Sequence, residues 1–246
     1  MDASDPAVTD SLPLAGAGAR YLATTVAILE DAIREESVRM AAAAEAIAAA
    51  LVTGRTLHTF GSGHSNLLSE ELFYRAGGLK SVRPLFFEGL MLHGSNRLAT
   101  RLERIEGLAA HLLDDHGVSE GDVLIVSSNS GGNAVSVEAV QEARERGLIT
   151  IAVTSIAHAT SPDARPTPHP KLHEVADIVL DNHGAVGDAA VAVEAAGTRL
   201  GPTSTVVGAA LLNAVMAEAI ERAAIRGWEP DLWVSSGLAI GDAANG

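Results

Sequence analysis

Five short apolar runs alternate with longer helix-forming segments along this chain, and this alternation constrains its fold most strongly. The runs predict strands at 56–60, 81–87, 123–127, 149–154 and 176–180. Helices are predicted at 21–51, 66–76, 98–115, 134–146 and 203–226. Strands joined through helices form parallel sheets, because each crossover returns the chain to the same edge. We therefore predict an α/β fold, with a doubly wound, nucleotide-fold-like parallel sheet flanked by helices on both faces and a long N-terminal helix.

The chain length fits a single domain with one hydrophobic core. Of its 246 residues, 47% are hydrophobic and only 3% are aromatic, so the core must consist mainly of Ala, Val, Leu and Ile. No interior linker interrupts the pattern. We predict one domain over residues 18–246, preceded by a frayed tail over 1–17. The proline-rich segment 157–170 predicts a mobile loop.

The charge and the absence of cysteine exclude several classes of function. A net charge of −14 repels nucleic acid and anionic membranes, and it repels a phosphorylated ligand at long range. Such a ligand must be captured by local backbone dipoles and hydroxyl groups. No uninterrupted apolar stretch has the roughly eighteen residues that a membrane span needs, and the N-terminus lacks the basic region of a signal peptide. We expect a cytoplasmic protein without disulfides or thiolate metal sites.

Two turns rich in glycine and serine follow predicted strands and open predicted helices. The first loop is Gly61-Ser62-Gly63-His64-Ser65, and the second is Ser127-Ser128-Asn129-Ser130-Gly131-Gly132-Asn133. In a parallel sheet, ligands bind at the carboxyl ends of the strands. Glycine lets the backbone approach a ligand closely, and free N–H groups at a helix start attract an anion. The two loops together predict a site that wraps a phosphate with uncharged donors.

Other interpretations of the two loops remain open. Serine and asparagine are also the usual helix N-cap residues, so either loop alone could serve only as a cap. Neither loop carries the Lys-Ser or Lys-Thr of a P-loop, and the first lacks the third glycine of a dinucleotide fingerprint. A nucleotide-dependent enzyme on the same scaffold is the weaker alternative.

The paired motifs Gly-Ser-Gly-His-Ser and Ser-Asn-Ser-Gly-Gly-Asn resemble the two phosphate loops of SIS (sugar isomerase) domain proteins. The stretch 60–79 is similar to a phosphoheptose-isomerase-like subgroup of that family, and so are 181–183, 187–189 and 201–205. The resemblance implies an SIS-type fold, a sugar-phosphate ligand, and a homodimer or homotetramer. It also implies phosphate or substrate binding by the glycines and polar residues of both loops and by the start of the last long helix: Gly61, Ser62, Gly63, Ser65, Ser128, Asn129, Ser130, Asn133, Thr203 and Ser204.

The candidates for acid–base chemistry are two glutamates and two histidines. Moving a proton between neighbouring sugar carbons needs one base and usually a second group that opens the ring. Glu71 and Glu70 lie on the helix that starts at the first loop, where the resemblance implies a catalytic glutamate. In relatives that glutamate falls about one turn later, where this chain has Arg75. Glu71 could instead pair with Arg75 on the helix surface.

His64 in the first loop and His183 beyond the last inner strand are the candidates for the second acid–base group. Asp188 is expected to hold sugar hydroxyls or brace its loop. His64, Glu71, His183 and Asp188 could ligate a metal in principle, but no close ligand spacing supports it, so we expect no metal and no cofactor. Glu103, with its neighbours Arg104 and Glu106, is predicted to lie on a solvated helix face.

These observations favour an enzyme. It would be a sugar-phosphate aldose–ketose isomerase, or else a lyase or etherase that abstracts the same kind of proton. A non-catalytic module that senses a phosphosugar is the main alternative from another class. Such sensors are usually fused to a DNA-binding domain, and no basic helix-turn-helix segment is evident in this acidic chain. We expect a small-molecule sugar phosphate as the partner, with no nucleic acid and no membrane.

Overall fold

The computed structural model describes residues 14–245, and its centre is a five-stranded parallel sheet. Its strands are β1 Leu57–Gly61, β2 Val82–Pro84, β3 Val123–Ser127, β4 Ile149–Thr154 and β5 Ile178–Asp181. Their spatial order is β2-β1-β3-β4-β5. β2 is added on one side of β1 and the later strands on the other side, so the strand order reverses between β1 and β3. The predicted doubly wound α/β fold is confirmed. A switch point of this kind opens a crevice for ligands at the carboxyl edge of a sheet.

Nine α-helices occur in the part of the chain that the structure describes. They are α1 Gly16–Val52, α2 Asn66–Leu72, α3 Asn96–Leu102, α4 Leu108–Asp115, α5 Ala134–Glu145, α6 Ile156–Ala159, α7 Leu172–Val175, α8 Ser204–Ile225 and α9 Gly241–Asn245. A small antiparallel hairpin, β6 Val191–Val193 and β7 Thr198–Leu200, precedes α8. The predicted tail at 1–17 lies mostly outside the described residues, and α1 already begins at Gly16.

The core has two apolar layers, one on each face of the sheet. On one face α1, α2 and α8 pack on side chains such as Ile125 and Ile151. On the other face α4, α5 and α7 pack on Leu124 and Val126. Every residue of β3 is buried, because a central parallel strand is covered on both faces. The aliphatic composition of the core is as the sequence predicted.

The long helix α1 lies along α8 on one face of the sheet. Glu45 of α1 accepts hydrogen bonds from Arg226 at 2.7 Å, and the Arg222 side chain donates to the carbonyl of Ala41 at 3.1 Å. By length and composition alone α8 could cross a membrane. Its residues Leu211, Leu212 and Val215 are instead buried in the domain, as expected of a core helix.

Several local predictions differ from the structure, among them the strand predicted at 81–87, of which only Val82–Pro84 forms β2. Helix α2 stops at Leu72 instead of 76, and Tyr74 beyond it adopts a left-handed conformation with φ 52°. The predicted helix 98–115 is divided into α3, which ends at Leu102, and α4, which begins after Gly107 with its φ of 82°. The predicted loop 157–170 overlaps the short helix α6, and the β6–β7 hairpin was not predicted. Short strands and turns depend on tertiary contacts, so sequence patterns locate them poorly.

His58 lies near the amino ends of the parallel strands, and its protonation makes the stability of the fold dependent on pH. Its Nε2 lies 3.1 Å from a carboxylate oxygen of buried Asp122. Burial lowers the pKa of His58 from its ordinary value of 6.5, and the hydrogen bond to Asp122 opposes this only in part. The folded state therefore binds this proton less readily than the unfolded state, so stability is full above pH 6.5 and is lost as pH falls through the lowered pKa.

We expect His58→Gln to flatten the fall in unfolding free energy below pH 6.5, as measured by urea denaturation between pH 5 and 8. The exposed His111→Gln serves as the control and should leave the pH dependence as in the parent. An unchanged slope in His58→Gln would show that another group carries the acid sensitivity.

Candidate functional site

Both glycine-serine loops leave the sheet at the same level of its carboxyl edge. Gly61, the last residue of β1, pairs in register with Ser127, the last residue of β3. These strands are neighbours at the switch point, so the loops that follow them lie side by side. A side chain at Gly61 would collide with the first loop, because a Cβ there would lie 2.4 Å from the carbonyl oxygen of Ser65. The tight first turn therefore requires glycine at this position.

A small cavity of about 120 Å³ lies between the two loops and the start of α8. It is lined by His64, Ser65, Leu68, Ser128, Asn129, Val153, Asn182, Asp188, Ser204 and Thr205. Three separate segments thus contribute hydroxyl groups, and none of the lining residues is Lys or Arg. We call this space the loop cavity.

Asp188 fixes the third wall of the loop cavity. Its carboxylate accepts hydrogen bonds from the backbone N–H groups of Thr203 and Ser204, at 2.9 and 3.0 Å, and from the Ser204 hydroxyl. These donors offset the negative charge of the carboxylate beside a cavity that could hold an anion. Asp188 has a φ of 53°, a conformation that few residues other than glycine adopt. The strained turn holds α8 with Ser204 and Thr205 at the cavity.

Residues that directly follow β4 and β5 hold the second loop in place. The Asn129 carbonyl accepts from the N–H of Ser155, and the Asn129 side chain accepts from the amide of Asn182 at 3.1 Å. Asn182 is 2% exposed, so little water can replace this hydrogen bond. It lies within the motif 181–183, but its role in bracing the loop was not predicted. The structure thus makes the second loop rigid from two neighbouring strands.

Some predicted binding residues lie outside the loop cavity. Gly61 and Gly63 shape the first loop, whereas the Ser62 hydroxyl donates to Glu103 at 3.0 Å. Asn133 opens onto a separate cleft. Thr203 is fully buried, and its hydroxyl has no partner within residues 14–245. Ser130 does not line the cavity either.

The two predicted glutamates are also outside the loop cavity. Glu71 accepts from the side-chain amide of Asn213 at 3.0 Å and lies 3.3 Å from Arg75, as in the alternative interpretation. It lines another cavity, between α2 and α8. Glu70 accepts a hydrogen bond from the side chain of Asn66.

The two predicted histidines differ in their surroundings. His64 is exposed and lines the loop cavity. His183 does not line it, and its Nε2 lies 3.6 Å from Glu36, a carboxylate of α1 that is only 2% exposed. The possible metal ligands His64, Glu71, His183 and Asp188 are not brought together, and residues 14–245 contain no cluster of three such side chains.

Glu103 does not lie on the solvated helix face that the sequence predicted. It is the C-cap of α3 and keeps helical backbone angles, and its side chain is half-buried against the first loop. Burial raises the pKa of Glu103, and the hydrogen bonds from Ser62 and Asn133 and the charge of Arg104 only partly oppose this. Glu103 thereby contacts both loops. An isolated glycine, Gly107, inside the predicted helix was the available signal for the break between α3 and α4.

Comparisons with known proteins identify the sequence class and the fold. The family model described as the SIS domain matches residues 20–155. A UPF0309 protein from Geobacillus sp. (strain WCH70) is 38% identical over 226 residues, which is 92% of each chain. Phosphoheptose isomerases from Francisella tularensis and Neisseria gonorrhoeae superpose with a TM-score of 0.54 at 16% and 19% identity, over 82% of this chain and 96% of theirs. At these identities the two solved structures are similar in fold alone.

Proposed function

This chain belongs to the SIS domain family, and on that premise we propose that it binds a sugar phosphate with the phosphate group in the loop cavity. The observation that carries the proposal is the convergence of Ser65, Ser128 and Thr205 on one small cavity, since the Ser204 hydroxyl already donates to Asp188. Hydroxyl and backbone N–H donors can surround a phosphate without adding positive charge. At the start of α8 the N–H groups of Thr203 and Ser204 already donate to Asp188, so this wall offers the phosphate the hydroxyl of Thr205 and not a free helix start.

We propose further that the protein is an enzyme that abstracts a proton next to the sugar carbonyl. In an aldose–ketose isomerisation, a base removes this proton, the carbonyl becomes an enediol, and the proton returns to the neighbouring carbon. A lyase or etherase would begin with the same abstraction and then expel a leaving group. The chemistry needs a carboxylate near the phosphate site whose pKa is closer to neutrality than that of an exposed glutamate.

Glu103, like Glu71 and Glu70, does not line the loop cavity, but it fits the role of base better because it adjoins the first loop. Its carboxylate contacts Ser62 of the first loop, and burial raises its pKa. Glu71 is engaged by Asn213 and faces a different cavity. His64, exposed at the rim of the loop cavity, is the proposed second acid–base group, and His183 remains the alternative. Asp188 is proposed as a structural support for the cavity.

We also propose that the protein works in the cytoplasm as a homodimer or homotetramer. The long helix α1 leaves Leu22, Val26, Ile33 and Val38 more than half exposed. A second copy of the chain would remove this apolar surface from water.

The binding proposal is tested by thermal shift and calorimetry with aldose and ketose phosphates of three to seven carbons, each compared with its unphosphorylated form. We expect the phosphorylated sugars alone to stabilise the protein. Ser128→Ala should weaken binding about 10- to 100-fold, because hydrogen bonds to charged groups contribute roughly 1.5–3 kcal/mol each.

Ser119→Ala is the matched control, since Ser119 is exposed and precedes β3 at the opposite edge of the sheet. Its affinity should equal that of the parent. Stabilisation by NAD or ATP and by none of the sugar phosphates would contradict the proposal and favour the nucleotide alternative.

A further inference from the structure

A second polar cleft lies at the end of the second loop, and it shares no lining residue with the loop cavity. It has a volume of about 190 Å³ and is bordered by Arg104, Asn133, Ala134, Arg165 and His169. Ser128 and Asn129 of the same loop line the loop cavity instead. The second loop therefore separates two spaces, and we call this one the arginine cleft.

The charges around the arginine cleft are unusual for this protein. The chain has only 17 basic residues and a net charge of −14. Many of its other arginines are paired with carboxylates, as Arg34 is at 2.6 Å and Arg146 at 2.7 Å. Within residues 14–245, the guanidinium groups of Arg104 and Arg165 form no salt bridge and donate no hydrogen bond, although the backbone N–H of Arg104 donates to Arg101. Two exposed guanidinium groups at one cleft, in an acidic protein, are available for an external anion.

Lys171 provides a third cation close to Arg165. The ammonium of Lys171 donates to the carbonyl of Arg165 at 3.2 Å, and a Cβ built on Gly132 would lie only 2.6 Å from it. Glu106 lines the cleft and the Glu103 carboxylate adjoins its Asn133 and Arg104, so the three cations exceed the two carboxylates by one. The local charge is thus opposite in sign to that of the whole chain.

One backbone donor at the start of α5, the N–H of Ala134, adds to these cations, whereas the N–H of Val135 already donates to the carbonyl of Glu103. Ala134 opens this helix of 12 residues and is 4% exposed, and its N–H has no acceptor within the described part of the chain. Asn133 caps the helix with its backbone only, because its side chain makes no capping hydrogen bond. A buried N–H without a partner is costly unless a ligand or water accepts from it.

We propose that the arginine cleft binds a second anionic group, a carboxylate or a phosphate. That group is either part of the same sugar-phosphate ligand or a separate anion. The first possibility rests on the proposed function, and the second is independent of it. The planar forks of Arg104 and Arg165 suit the oxygens of either group. The cleft would also offset the long-range repulsion that a net charge of −14 exerts on a phosphorylated ligand.

Equilibrium dialysis with labelled inorganic phosphate tests the proposal. We expect two phosphates per parent chain and one per chain in the double variant R104A/R165A. The matched control R97A/R101A removes the same charge from exposed arginines of α3 outside the cleft, and it should keep two. An adventitious, purely electrostatic effect would weaken binding equally in both double variants and would overturn the proposal. So would a double variant R104A/R165A that still binds two.

Ser128→Ala separates this inference from the proposed function. If Ser128→Ala removes one phosphate and R104A/R165A removes the other, both stand. If R104A/R165A removes one and Ser128→Ala removes none, the arginine cleft stands and the phosphate site in the loop cavity does not. The reverse result leaves the loop cavity intact and rejects the arginine cleft.

The two sources of the anion are distinguished with glucose 6-phosphate and glucose 1,6-bisphosphate. If one ligand spans both sites, R104A/R165A should weaken the bisphosphate about tenfold and the monophosphate little. If the second anion is separate, pyrophosphate should bind the parent in the presence of saturating monophosphate and fail to bind R104A/R165A.

Discussion

Replacing Glu103 with glutamine is expected to lower the rate of proton abstraction about 10²- to 10⁴-fold while leaving sugar-phosphate affinity nearly unchanged. General base catalysis contributes an acceleration of this order, and glutamine keeps the size and one acceptor of the side chain but cannot take a proton. The measurement is the incorporation of solvent deuterium into the sugar phosphate that gives the largest thermal shift. Glu71→Gln is the matched control and should retain most of the parent rate.

The pH dependence of the parent rate provides a second readout of Glu103. Only the ionised carboxylate can act as a base, and burial raises its pKa above the ordinary value of 4.5. The rate should therefore rise with pH through an apparent pKa above 4.5, and this limb should disappear in the residual rate of Glu103→Gln. Loss of activity in Glu71→Gln with full activity in Glu103→Gln would reassign the base to α2.

Deuterium exchange in the parent and in these two variants also distinguishes an enzyme from a phosphosugar sensor. A sensor would bind its sugar phosphate without exchanging any deuterium, in the parent as well as in both variants. That result would overturn the proposed activity while leaving the binding proposal intact, since the Ser128→Ala test does not depend on turnover.

Replacing Gly61 with alanine is expected to abolish measurable sugar-phosphate binding and to destabilise the fold by about 1–3 kcal/mol or more. The added Cβ would lie 2.4 Å from the carbonyl oxygen of Ser65 and 2.9 Å from the backbone nitrogen of Asn66. Both atoms belong to the backbone, so the first loop itself must move. The movement would take Ser65 away from the loop cavity.

Gly94→Ala is the control for this substitution. A Cβ at Gly94 meets no atom within 4 Å, so the variant should keep the stability and affinity of the parent. Urea denaturation and calorimetry measure the two quantities. Parent-like binding in Gly61→Ala would show that the tight first loop is not needed for the site.

Much of the fold could be predicted because local patterns and packing agree. The aliphatic run of β3 is apolar at nearly every position, as a strand covered on both faces must be, and its predicted bounds match the structure. The prediction failed where a single residue changed the backbone direction. Gly107 takes a left-handed conformation before α4, inside the predicted helix 98–115, and Glu103 at the end of α3 lies against the first loop and not in solvent.

The sequence by itself determined the α/β class, the order of its elements and the two glycine-serine loops, since these depend on periodicity and residue type along a short stretch. Tertiary structure decided which polar side chains share a cavity. Asp188 meets Ser204 from 16 residues away, Asn182 meets Asn129 from 53, and Glu103 meets Ser62 from 41. Such contacts depend on how strands order in the sheet and where helices break, so no local pattern could specify them.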